Sequence, residues 1–173
     1  MVNLRGLKKK DAPYMLDWMH DSSVIKDLKN DFSTKTMDDC LLFISKSIED
    51  DTNIHFAVVD ERDIYQGTVS LKNLHNKSAE FAIVLSSLAI GTGAALEAMN
   101  KILDFGFERV GLETIYWCVS PRNSRAVRFY EKNSFQRMPL EKISIIEGYT
   151  ESQINEYYWF FIEKENWKNS LII

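Results

Sequence analysis

Cysteine is scarce in this chain: Cys40 and Cys118 are the two in 173 residues. Two thiols build no disulfide framework and cannot alone complete a four-ligand zinc site. The three histidines, His20, His55 and His75, are scattered and share no HxxxH or HExxH spacing, so no metal is expected. With 3 prolines and 7 glycines, collagen-like and proline-rich linker architectures are excluded. No apolar stretch approaches the ~18 residues that a membrane span needs. Asp11 and Asp17 interrupt the first twenty residues, which hold no signal-peptide core. These absences read as a soluble protein of the reducing cytoplasm. Excess positive charge is lacking too: 21 Lys plus Arg against 25 Asp plus Glu leave a net charge of −4. The run Lys8-Lys9-Lys10 is short enough to be a solvated turn. Neither a nucleic-acid partner nor a membrane surface is expected of such a chain.

What is present describes an ordinary globular chain, with 45% hydrophobic and 27% charged residues. Its length suits one domain over 1–173, with 163–173 as a C-terminal tail. Residues 2–7 alternate as a first strand. Asp11 is a candidate helix cap, with Pro13 in the first turn and Met15, Trp18 and Met19 as an apolar stripe. Thr36 is the next candidate cap, for a helix running to about Asp50. Apolar runs at 54–59, 65–71 and 79–85, separated by short polar turns, predict an antiparallel meander. After Gly91-Thr92-Gly93, apolar residues from Ala95 to Val110 recur at three- and four-residue intervals, and Gly111 follows as a natural C-cap. Strand 114–119, a short helix from Asn123 to Lys132, a strand from Phe135 and a final strand at 157–162 complete a β-α-α-β-β-β-α-β-α-β-β order. Segment 139–156 is weakly patterned.

Two stretches carry chemistry. In Leu88-Ala89-Ile90-Gly91-Thr92-Gly93-Ala94, glycines lie between a strand and a helix. There the backbone can approach a phosphate, and free N–H groups with the helix dipole stabilise its charge. A tight turn accounts for the same glycines. No Gly-Lys-Ser/Thr follows, which excludes a P-loop, and Leu96 occupies the third glycine position of a dinucleotide fingerprint. The second stretch is Asn123 to Phe135, where Asn123 can cap a helix and Tyr130 lies two turns on. A capped amphipathic helix with Tyr130 in the core fits it equally.

Taken together, the two stretches and their strands resemble the GNAT N-acetyltransferase superfamily. The matching residues are Gly91-Thr92-Gly93, Glu97-Ala98, residues 103–107, Gly111-Leu112, the strand from Ile115 to Val119, then Asn123, Ala126 and Tyr130-Glu131-Lys132. The likeness covers 54–135, and the β-α-α opening fits as well. It is similar in style to the branch acting on protein N-termini, polyamines and nucleotide-linked amino sugars. Three positions depart from the pattern. Leu88 stands where a charged side chain usually opens the loop, so phosphate binding falls to backbone N–H groups and Thr92. Asn133-Ser134-Phe135 replaces the usual Leu-Gly-Phe, and Cys118 stands where some protein-acetylating relatives carry a glutamate.

The resemblance implies a mixed α/β fold: a mostly antiparallel sheet of six or seven strands, about four helices, and the glycine loop between strand 4 and helix 3. It implies acetyl-CoA as co-substrate and direct transfer of its acetyl group to a primary amine. Tyr130 matches the family's general acid, and a phenol can protonate a departing thiolate. Asn123 matches a residue bonded to the pantetheine. Backbone groups of Ile83, Val84 and Leu85 would hold the pantetheine and acetyl carbonyl, and Gly91, Thr92, Gly93 and Ala94 the pyrophosphate. Glu80 is the candidate base, with an exposed strand carboxylate as the alternative. Cys118 is more simply a buried thiol than a nucleophile. The glutamates of 139–156 can attract a cationic amine or merely solvate a loop, and Trp18, Asp21, Asp27 and Phe32 are candidates for the opposite wall. The expected acceptor is a small amine or an amino sugar; a ribosomal-protein N-terminus and a non-catalytic acyl-CoA-binding module are the alternatives. A homodimer is compatible with this reading.

Overall fold

A computed structural model describes residues 1–170. The opening alternation forms β1 (Asn3–Gly6), antiparallel to β2 (Ile54–Val59). Next come β3 (Tyr65–His75) and β4 (Ser78–Leu85), which complete the predicted meander. On its other side β4 meets β5 (Thr114–Val119) in parallel. The remaining strands are β6 (Gln136–Arg137) and β7 (Tyr158–Glu163), and β7 lies between β5 and β6. The result is one seven-stranded sheet in the order β1-β2-β3-β4-β5-β7-β6, with β4–β5 as the parallel pair among the described strands.

Helices cover the faces because the strands alternate. Val58, Val69, Leu71 and Phe81 pack on one face against α4 (Ala94–Phe105), whose Ala98, Met99, Ile102 and Leu103 are buried. Each of the larger of these side chains contributes roughly 1.5–3 kcal/mol by leaving water. Ala57, Val59 and Tyr65 point to the opposite face, under α1 (Ala12–Met19), α2 (Ser22–Ile25) and α3 (Met37–Lys46). A third apolar cluster joins Tyr116, Trp159 and Phe161 to Ile146 and the side chains around it. Past β5, α5 (Ser124–Lys132) holds Tyr130 in the first cluster. Helices α1, α3, α4 and α5 are the four with eight or more residues among those described.

Several boundaries differ from the sequence expectation. Asp11 does not cap α1 with its side chain; it is buried, accepts from the Lys8 N–H and pairs with Arg5 at 2.7 Å. Thr36 caps α3 as expected, with Asp39 completing a capping box, but α3 ends at Lys46 and Ile48 beyond it is 75% exposed. The long helix is regular only to Phe105 and continues as a π-helical turn, Gly106–Val110. Segment 139–156 is ordered by a 3-10 turn (Leu140–Ile145) and α6 (Glu151–Glu156), packed on the third cluster.

The expected tail is different again. Lys164–Ser170 form α7; Trp167 is buried, its ring facing Phe107 and its Nε1 donating to Asp104 at 2.6 Å. Residues 171–173 of that tail lie outside the described residues.

Candidate active site

The parallel pair stays together for only three positions, ending at Glu80 opposite Tyr116. Beyond that point the two strands diverge. Residues 81–85 of β4 keep β3 on one side and lose their partner on the other. A cavity of about 480 Å³ opens into this gap. It follows β4 from Glu80 to Leu85, a run of about 17 Å at ~3.3 Å per residue, and reaches Ile90 and Gly91 of the glycine loop.

At the loop end, Gly91 and Gly93 take left-handed φ values of 82° and 90°. L side chains adopt that conformation only with strain. The turn exposes the start of α4, whose first N–H groups have no intrahelical acceptor. Thr92 serves the loop rather than the cavity: its hydroxyl donates to the Ala89 carbonyl at 2.7 Å and accepts weakly from the Ala94 N–H. Ala94 is buried with the core, and Leu88, at the position that lacks the usual charge, is 87% exposed. Gly91 lines the cavity; Thr92, Gly93 and Ala94 stand behind it.

Across the gap, Asn123 caps α5 by accepting from the Ala126 N–H at 3.1 Å. Its amide NH2 remains available, and Asn123 also lines the cavity. Two turns on, Tyr130 is buried among Trp117, Phe129, Phe135 and Phe160. Its ring lies in the core, and the residue also lines the cavity. Burial, and then the nearby Cys118, hold its pKa well above the usual phenol value. It is neutral and able to donate a hydrogen bond at neutral pH. Ser134, with φ of 62°, takes the left-handed turn where the family pattern has glycine, and Phe135 donates back to the Tyr130 carbonyl.

Glu80 marks the opposite end. It is 4% exposed, so the exposed-carboxylate alternative fails. Its Oε1 accepts from the Tyr149 hydroxyl at 2.6 Å, its Oε2 from Asn73 Nδ2 at 3.2 Å, and Lys72 Nζ stands 3.6 Å away. Tyr149 also touches the Cys118 sulfur at 3.8 Å, and Lys29 Nζ sits 3.7 Å above its ring centroid. Burial and the adjacent Cys118 and Glu80 push the Tyr149 phenol far up. Burial likewise raises Cys118 above an ordinary thiol, aided by Glu80, so a reactive thiolate is disfavoured there.

Sequence reasoning missed Tyr149 altogether. It also assigned the acceptor wall only in part. Asp27 and Phe32 line the cavity, but Trp18 and Asp21 line a separate hollow of about 180 Å³ on the other side of α1. Glu141, Glu147, Glu151 and Glu156 do not line the cavity, and Glu147 pairs instead with His75 at 3.2 Å. Tyr149 of the segment and Tyr157 just beyond it line the cavity instead.

A strand pair that opens beside a glycine loop matches what comparison with known proteins finds. The model of the acetyltransferase (GNAT) domain matches residues 2–136. The chain belongs to the GNAT acetyltransferase family. A spermidine N(1)-acetyltransferase of Vibrio cholerae is 26% identical over 136 residues, 78% of each chain. The acetyltransferase PseH of Campylobacter jejuni is 26% identical over 137 residues, 78% of this chain and 83% of its own. Among solved structures, the Vibrio cholerae spermidine N-acetyltransferase in complex with CoA and spermine superposes with a TM-score of 0.80. That match has 23% identity and covers 97% of this chain and 98% of the other. The expected fold class thus holds, with seven strands and the glycine loop between β4 and α4. The protein is an N-acetyltransferase by family. No helix among the described residues is long and apolar enough to cross a membrane.

Proposed function

We propose that the protein transfers the acetyl group of acetyl-CoA directly to the primary amine of a small molecule, within the cavity between β4 and β5. The observation that carries this reading is the early separation of the two strands. It leaves one side of residues 81–85 without a strand partner, between a glycine loop at one end and a buried carboxylate at the other. Unpaired backbone groups bordering a cavity are costly unless a ligand or water satisfies them. A pantothenic arm, with its own amides, fits that gap as a substitute strand. The exposed N–H groups behind Gly91 and Gly93 fit a pyrophosphate in the same way. Leu88 supplies no charge, so the backbone and helix dipole carry that task.

Acetyl-CoA supplies the activated acyl group and a thiolate leaving group. The chain's own residues do the rest. Ile83, Val84 and Leu85 line the cavity, and the backbone N–H groups on the open side of β4, which come from alternate residues, can orient the acetyl carbonyl and stabilise charge on its oxygen. Asn123 Nδ2 can hold the pantetheine arm. Glu80 accepts the proton that the ammonium must lose, either directly or through the Tyr149 hydroxyl that already donates to it. Tyr130 donates a hydrogen bond to the departing sulfur. Its raised pKa keeps the phenol protonated, so the donor is in place at neutral pH.

The test mixes purified protein, acetyl-CoA and a panel of small amines, and detects released thiol. Amine-dependent CoA release is expected. Acetyl-CoA binding by calorimetry, with no turnover of any amine, would replace this reading with an acyl-CoA-binding module.

A further inference from the structure

We infer that the acceptor is an amine that also carries an anionic group, and that Lys29 recognises that group. This rests on the transfer reading above and deepens it. The charged side chains lining the cavity are Asp27, Lys29, Lys72, Glu80 and Arg125, three cations against two anions. Glu80 is the buried carboxylate, and Lys72 stands 3.6 Å from it. Its charge is therefore partly compensated before any ligand arrives.

Lys29 is different. It makes no ion pair among the described residues, and its ammonium is held 3.7 Å over the ring of Tyr149. The hydroxyl of the same ring is bonded to Glu80. One tyrosine thus carries a cation on its face and a carboxylate at its tip, separated by about the length of a phenol. Lys72 stands beside Glu80 and Lys29 over the tyrosine that donates to Glu80, so the two cations share one end of the cavity.

A polyamine entering here would bring its further ammonium groups against Lys29 and Lys72. Like charges brought together across a binding site are strongly disfavoured. Besides Glu80, which faces the reacting amine, Asp27 is the one lining carboxylate among the described residues that opposes this. An amine with its own phosphate or carboxylate meets the opposite situation: the amine approaches Glu80 and Tyr149 while the anion meets Lys29. The site is amphoteric, and the ligand chemistry that complements it is amphoteric as well.

The experiment compares matched acceptors at fixed acetyl-CoA: cadaverine against lysine, and glucosamine against glucosamine 6-phosphate. Each pair differs by one anionic group, and the two pairs separate carboxylate from phosphate as its source. The anionic member of at least one pair should show kcat/KM about two- to fivefold higher, the scale of one exposed charge pair. Lys29→Glu should remove or invert that preference while leaving the KM for acetyl-CoA unchanged, and Lys29→Arg should restore it. Lys29 is exposed, so neither change threatens folding. Equal or better turnover of the uncompensated amines would overturn the inference and leave the transferase reading intact. So would a preference for the anionic member that Lys29→Glu does not alter. Acetyl-CoA binding with no turnover of any of the four would overturn both.

Discussion

The two walls of the cavity are built by different rules. The wall proposed for the cofactor is made of backbone: a left-handed glycine loop, a helix start, and a strand edge that its neighbour abandons after Glu80. The acceptor wall is made of side chains from distant segments, with Asp27, Lys29 and Phe32 in a loop before α3 and Tyr149 before α6. A backbone wall recognises what every acyl-CoA shares. A side-chain wall can change its preference by single substitutions while the first stays fixed. Changes on the first side should therefore alter cofactor affinity or the common chemical step, and changes on the second should redistribute acceptors.

The largest expected effect tests the shared chemistry. Tyr130→Phe keeps the ring in its nest of Trp117 and Phe160 and removes only the hydroxyl. Its kcat should fall roughly 10²- to 10⁴-fold, the usual range for an acid or base, with acetyl-CoA affinity unchanged by calorimetry. An undiminished kcat would return Tyr130 to a purely structural place.

Next comes Glu80→Gln, where the two walls meet. The amide turns one acceptor oxygen into a donor facing either Tyr149 or Asn73, both of which now donate to Glu80. At pH near 6 kcat/KM should drop about 10²-fold. The deficit should narrow as pH rises toward ~10, where an alkylamine supplies its own free base. A melting curve of the variant separates lost catalysis from a disturbed core. Parallel pH profiles with equal rates would leave Glu80 as a structural carboxylate.

The smallest effect belongs to the loop. A Cβ placed on Gly93 meets nothing within 4 Å, so the cost of Gly93→Val is conformational rather than steric. Leaving the left-handed region is worth about 1–2 kcal/mol per residue, or roughly tenfold in CoA affinity if the loop must hold its shape. Unchanged affinity in the folded variant would detach the loop from the cofactor wall.

The same contrast explains what could be read from the chain alone. The meander, the glycine loop and the Asn123–Tyr130 helix are local: each depends on residues a few positions apart, and a period or a φ requirement betrays it. Gly91 and Gly93 stand where the backbone turns left-handed, and Asn123 stands three residues before the N–H it accepts from. Tyr149 carries no such signal, because its partner Glu80 lies 69 residues earlier in the chain. The burial of Glu80 was hidden for a related reason. Only the pairing of β4 on both sides and the cover from Tyr149 enclose it. Thr92 has a local partner that its type and place do not announce: its hydroxyl donates to the Ala89 carbonyl within the turn.

The order of the strands has a consequence for synthesis. Among the described strands β7 is made last, yet it lies between β5 and β6 and pairs with both. While the chain is still emerging, the meander and α4 can assemble, because β1 to β4 are neighbours in sequence and in space. The outer edge of β5 stays open until residue 163 has cleared the ribosome. In that interval Tyr116, Cys118 and the strand edge beneath them are bare to other nascent chains, a surface of the kind that invites aggregation.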